Sequence, residues 1–405
     1  MISRVIFIIS YPIRDQEYNF LGIDLLVRNK YDVEIWNLMP VINPEVFRHQ
    51  GDVTDAGLVS DKYRLIHVKE DFKNRISNLG SNDFLFVHVG CTLKTYFIYR
   101  AITKKKLRYG NDLLLLEFYF KSQGGETADL INRIKRVTVK KILARLSVLQ
   151  CQNAVFRFVR PYIVNPSRLI VRGGNKSLAF VKIYDLPVAS NTKTLLAHNI
   201  DYDAYLLQKD KPKWGHNKNI AVFLDGCVCF HPNYIRSNCK SGATPDIYFS
   251  ELSAFFRKIE ARWDVEVIIA KHPRGGNEYE RKDYFEGRRT MSYRTPELVA
   301  NSQFVILHSS MAIGHAVLFK KPVIFIITEQ LKKGQDAELI NGQAAYFGKK
   351  PVNISNQKEV SKFLKEEQLG IDENIYDTYK DDVIKTPGTP EMQRWEIIID
   401  YLKTL

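Results

Sequence analysis

The chain has 405 residues, 45% hydrophobic and 26% charged, with a formal net charge of +14. That length exceeds one ordinary core and suits two domains of roughly 150–200 residues each. The composition excludes a disordered chain, and no stretch reaches the roughly 18 uninterrupted apolar residues of a membrane-spanning helix.

The opening "MISRVIFIISYPIRDQEYNF" is apolar for only about six residues and lacks a small-residue cleavage site, so it predicts a first buried strand rather than a signal peptide. "YNFLGIDLLVRNK" (18–30) has helical spacing, and "YDVEIWNL" (31–38) alternates like a strand. "DFLFVHVG" (83–90) predicts a further strand, and "LIVRGG" (169–174) predicts one that ends in a glycine turn. This rhythm implies a parallel sheet covered on both faces. The stretch 196–220, with Lys-Asp-Lys-Pro-Lys and Trp-Gly, breaks the rhythm and reads as a linker, centred on 201–219.

The rhythm then restarts. Strands are predicted at 220–225, 265–270, 303–308 and 322–327, with helices at 246–263, 295–302 and 311–319. The expected organisation is therefore α/β: a first doubly wound domain (1–200), a linker (201–219) and a second doubly wound domain (220–385). A final helix within 386–405 would pack back on the first domain. Ligands of such sheets bind outside the carboxyl ends of the strands, so the residues that follow strands carry the functional expectation.

Three such places stand out. In "FLDGCVCFHPNYIRSN" (223–238), Asp225 ends a strand, where a carboxylate can act as a general base. A simple Asp-Gly turn explains it equally well. His231 follows six residues later. In "AKHPRGG" (270–276), Lys271, His272, Pro273 and Arg274 precede two glycines and suit a phosphate oxygen. Pro273 would fix the direction of His272. In "HSSMAIGHAVLFKKPVIF" (308–325), Ser309 or Ser310 is expected to cap a helix from Met311, and that helix end could also seat an anion. After the first strand, Arg14, Asp15 and Glu17 form a further polar group, with the carboxylates as rival bases and Arg14 suited to an acidic sugar or a phosphate. The cysteines are Cys91, Cys151, Cys227, Cys229 and Cys239. An odd, sparse set suggests a reducing compartment, and strand alternation accounts for the Cys227–Cys229–Cys239 trio better than zinc does.

The "KHP" after one strand and the paired serines after a later one resemble the HP and S/T motifs of bacterial sialyltransferases, polysialyltransferases and Kdo-transferase-like enzymes. The segment "ELVANSQFVILHSSMAIGHAVLFKKPVIFI" also resembles the nucleotide-binding half of GT-B glycosyltransferases. The resemblance implies a GT-B fold, two Rossmann-like doubly wound domains facing across a cleft. It implies metal-independent glycosyl transfer in bacterial surface-polysaccharide synthesis, with no cofactor. The donor would be a CMP-linked acidic sugar (a nonulosonic acid or Kdo), or alternatively a UDP- or GDP-hexose in a transferase or epimerase. By the same resemblance His272, Ser309 and Ser310 hold the donor phosphate, with Lys271, Pro273, Arg274, His308 and Glu297 beside them. Asp225 in "LDG" takes the place of the family's acidic motif with one acid missing. His231 and Arg14 would serve the acceptor or sugar. A non-catalytic polysaccharide-assembly protein of the same fold is the rival from another class.

The net charge points to anionic partners. "AITKKKLRYG" (101–110) and the basic amphipathic stretch 127–149 could lie on an anionic membrane, beside a lipid-linked glycan acceptor at the cytoplasmic face. A solvated helix packed on the sheet explains 127–149 as well. No nucleic-acid-binding motif is present, so nucleic acid is not expected.

Overall fold

The computed structural model describes residues 1–50, 54, 61–113, 148–178, 181, 185–214, 219–231, 234, 241–272, 279, 282–334 and 336–405. Two compact units emerge. One holds the described residues up to Ile200 together with Lys385–Leu405, and the other is Asp201–Ile384.

The first unit is a seven-stranded parallel sheet. Its strands are β1 (Arg4–Ile9), β2 (Asp32–Asn37), β3 (Tyr63–Leu65), β4 (Asp83–Val87), β5 (Arg108–Asp112), β6 (Leu169–Arg172) and β7 (Lys193–Leu196). Their spatial order is β3-β2-β1-β4-β5-β6-β7. β1 and β4 are apolar on both faces because helices cover both. β5, "RYGND", escapes a hydrophobicity reading: it is short and polar but central. A side chain at Gly110 would come within 3.1 Å of the Leu169 Cβ.

The predicted helix 18–30 is two helices, Asp15–Phe20 and Ile23–Arg28. Gly22 separates them at φ +58°, and a Cβ there would lie 2.1 Å from the Trp395 ring. Trp395 arrives from the C-terminal helix Arg394–Leu402, donates its indole N–H to Phe20 O at 2.6 Å, and packs edge-on to Phe7 and Phe86. Beside it Arg394, fully buried, pairs with Asp112 and donates to His198 O. Burial pushes its guanidinium down to about 9.

The second unit is a six-stranded parallel sheet of β8 (Asn219–Leu224), β9 (Val265–Lys271), β10 (Thr290–Ser292), β11 (Phe304–Leu307), β12 (Val323–Ile327) and β13 (Val352–Asn353). Their order is β10-β9-β8-β11-β12-β13. Both units are Rossmann-like, the fold class expected from the sequence. The stretch expected as a linker opens instead with the helix Ile200–Gln208. Tyr202 is buried in the second unit's core, and Tyr205 stacks at a tilt on Phe319, 5.1 Å away. Tyrosines carry the apolar face there, and interleaved aspartates mask it in the sequence. Among the described residues no helix is long and apolar enough to cross a membrane.

Candidate active site

In each sheet the chain reverses its winding direction between two neighbouring strands, and a crevice opens at their carboxyl ends. In the second unit these strands are β8 and β11, and the predicted motifs collect there. The two strand-end loops touch: a Cβ on Gly226 would sit 3.9 Å from Ser309 O.

Asp225 is 5% exposed. Its Oδ1 accepts from Cys227 N at 2.9 Å, and its Oδ2 accepts from His272 N at 3.0 Å and from the Tyr279 hydroxyl. These bonds hold Cys227 in a left-handed turn at φ +51° and tie the β8 end to the β9 end. Burial raises the carboxyl above its ordinary range, against the pull of its donors. The expected general base is thus buried and engaged by three donors, which leaves it a positioning geometry.

Lys271 and His272 follow β9 side by side. The Lys271 ammonium lies over the Tyr279 ring, 4.6 Å from its centre. The His272 ring meets the His231 ring edge-on, with centroids 4.9 Å apart. The structure thus brings His231 to His272. Pro273 and Arg274 lie outside the described residues. Beside this group a cavity of about 400 Å³ is lined by Lys271, Tyr279, Lys282, Tyr284 and Arg288, among others. Its aromatic wall continues inward, with Tyr284 stacked on Phe249 at 4.4 Å.

After β11 the expectations divide. His308, 2% exposed, points into the core. Its Nδ1 is 2.8 Å from Ile326 O, which can only accept, so Nδ1 carries the proton and Nε2 accepts from the Tyr248 hydroxyl at 2.9 Å. Burial pushes this imidazole down to about 4. His308 is therefore a core residue, not a donor-binding one, because the strand's alternation turns it inward. The helix expected from Met311 starts at Ile313 with Ala312 at its N-cap. Ser310 accepts Ala312 N one residue earlier, at 3.1 Å, so neither serine is the cap. The Gln343 amide clamps the Ser310 backbone with two 3.0 Å bonds. The half-buried Ser309 hydroxyl has no hydrogen-bond partner among the described residues.

Glu297 lies elsewhere. It accepts from the Trp214 indole at 2.8 Å and from Arg294 Nε at 2.6 Å, and the Arg294 bond holds its carboxyl below the ordinary range. None of these partners belongs to the strand-end group.

In the first unit the winding reverses between β1 and β4. Arg14 precedes the helix Asp15–Phe20, and Glu17 Oε2 accepts Arg14 N at 3.2 Å, which engages Glu17 in closing the helix start. Asp15 is the first helical residue; its side chain is outside the described set. Sequence reasoning missed Tyr11 and His88, which meet at this crevice with the Tyr11 hydroxyl 3.0 Å from His88 Nδ1. The sequence places His88 within an apolar strand, and only its place just past β4 marks it. Burial and the Arg394 charge push its imidazole down to about 3.

The cations of the stretch 127–149 up to Arg145 lie outside the described residues, whereas Lys104, Lys105 and Lys106 are described and exposed. Cys239 is likewise outside; burial pushes the Cys227 and Cys229 thiols up, the latter to about 12.

No protein-family profile matches the chain, and no curated protein sequence matches it. Several solved structures are similar to the chain along its whole length. The UDP co-structure of MnaA from S. aureus is 14% identical, covering 100% of this chain and 98% of that one at a TM-score of 0.48. The UDP-GlcNAc 2-epimerase of Methanocaldococcus jannaschii is 12% identical, covering 99% and 100% at 0.47. The calicheamicin glycosyltransferase is 11% identical, covering 100% and 99% at 0.48.

Proposed function

We propose that the protein is a nucleotide-sugar-dependent glycosyltransferase whose second unit holds the donor. The observation that carries this reading is the group Lys271, His272 and His231 past the β8 and β9 ends, with Lys271 lining the aromatic cavity. A leaving phosphate gains negative charge as the glycosidic bond breaks. Fixed cations and N–H or O–H donors help most where such charge develops. Lys271 supplies a point charge, while His272 and Ser309 supply directed donors. Asp225 acts through them: it grips His272 N and Tyr279, and so sets the direction of the imidazole. The cavity, at about 400 Å³, is within the size range of small-ligand sites, and its tyrosines offer faces to a base.

We place a UDP- or GDP-linked hexose ahead of a CMP-linked acidic sugar as donor. Lys282 and Arg288 also line the cavity beyond Lys271, with Asp246 3.1 Å from the Lys282 ammonium and Glu260 2.9 Å from the Arg288 guanidinium. The acid that would serve as base in the sialyltransferase-type reading is also sequestered.

The test is a ligand-induced melting shift against CMP, CDP, UDP, GDP and ADP, with Lys271→Ala and His272→Ala alongside. A rise with UDP or GDP that both variants lose is expected. A response to CMP alone would return the donor to the acidic-sugar class. No shift with any nucleotide would overturn the enzyme reading and favour an assembly protein. Product analysis with the responding nucleotide-sugar then separates transfer from epimerisation.

A further inference from the structure

The helix Val148–Ile163 exposes a stripe that the nucleotide site does not use. Val155 is 63% exposed, Phe158 77%, Val159 38% and Tyr162 82%. These positions are three and four apart and so lie on one helix face. Scattered surface apolar residues are normal, but four on one face, two of them aromatic, form a patch. The opposite face is satisfied, with Phe156 buried against the Tyr96 ring at 5.2 Å.

The surroundings are positive. The helix Tyr96–Lys104 runs alongside, since Tyr96 meets Phe156 and Thr103 Oγ1 accepts Asn165 N at 2.9 Å. Arg100 and Lys104 are exposed on that helix, with Lys106 just beyond it, while Lys105 donates to Ser77 O at 2.9 Å. The sequence holds no Asp or Glu between Asp129 and Asp185, and Asp185 is taken by Arg157 at 2.7 Å.

We infer that this face docks on an anionic lipid bilayer, with Phe158 and Tyr162 entering the headgroup boundary and the exposed cations of the neighbouring helix facing acidic lipids. An apolar stripe with aromatic residues and flanking Lys and Arg is what such an interface accepts. A second copy of the chain is a poorer occupant, because a two-fold contact would press this basic surface against itself. The inference is independent of the nucleotide reading, since its test needs no substrate.

The test is sedimentation of the full chain with vesicles of phosphatidylcholine alone or mixed with phosphatidylglycerol, comparing wild type with Phe158→Ser/Tyr162→Ser. Wild type is expected to bind the phosphatidylglycerol vesicles, less so at high salt. The double variant should bind about ten-fold more weakly at an unchanged melting temperature, since the replaced side chains are exposed. Should the double variant melt lower, Tyr162→Ser alone carries the comparison. Equal binding by the variant, or no binding by wild type, overturns the inference. So does a wild-type dimer that the double variant loses, which would assign the stripe to a second copy.

Discussion

Replacing Asp225 separates a positioning carboxylate from a catalytic one. Asp225→Ala strands three buried donors: Cys227 N, His272 N and the Tyr279 hydroxyl. A buried donor left unsatisfied costs about 1–3 kcal/mol, so with partial relaxation the loss should be about 3–5 kcal/mol. Asp225→Asn keeps the shape and one acceptor oxygen. If that oxygen serves His272 N and Tyr279, the new amide group faces Cys227 N donor to donor, at a cost of about 1–2 kcal/mol. The two variants also differ with pH. Burial raises the Asp225 carboxyl, so its stabilising contribution is full below the ordinary carboxylate range and is lost as pH rises through its raised value. The neutral Asn should therefore gain on wild type as pH rises from acid to neutral. The assay is urea unfolding at several pH values, joined to hydrogen exchange at the β9 end, which reports the second unit alone. The alanine variant should lose protection at His272 N and its nucleotide-induced melting shift together. Stability of Asp225→Ala within about 0.5 kcal/mol of wild type, below the cost of one stranded donor, would refute the reasoning.

Three further outcomes are expected. His308 is held near 4 against about 6.5 unfolded, so its contribution is present above pH 6.5 and lost as pH falls through 4, about 3 kcal/mol in all; His308→Gln should flatten that part of an acid-unfolding curve. Arg394→Met leaves Asp112 buried without its partner and should cost about 3–5 kcal/mol by urea unfolding, whereas an exposed ion pair such as Lys73–Glu70 should respond to mutation by less than about 1 kcal/mol. Gly22→Ala combines a left-handed backbone with overlap on the Trp395 ring and should lower stability by about 2–5 kcal/mol, read as a drop in melting temperature.

Much of the second unit was legible in the chain. "IAVFLD", "VEVIIA" and "QFVILH" are buried strands because long apolar runs have no other place in a chain of this polarity. The residues after them had to emerge at strand ends, as Asp225, Lys271 and Ser309 do. The short polar strands β5, β7 and β10 were not legible. β5 is buried by its neighbours on either side, as the fit of Gly110 against Leu169 illustrates, whereas β7 and β10 are partly exposed edge strands that pair on one side only.

The sequence by itself determined that this protein is built of two α/β units and which residues sit at strand ends, because periodicity and turn chemistry are local. Tertiary structure decided what those residues do. Tyr279, 54 residues from Asp225, closes on its carboxylate, and Tyr248, 60 residues from His308, takes its second nitrogen. Trp395 reaches Phe20 across 375 residues and forces the break at Gly22. Whether a polar side chain serves a ligand or the core depends on which partners arrive from far along the chain, and no spacing within a motif records that.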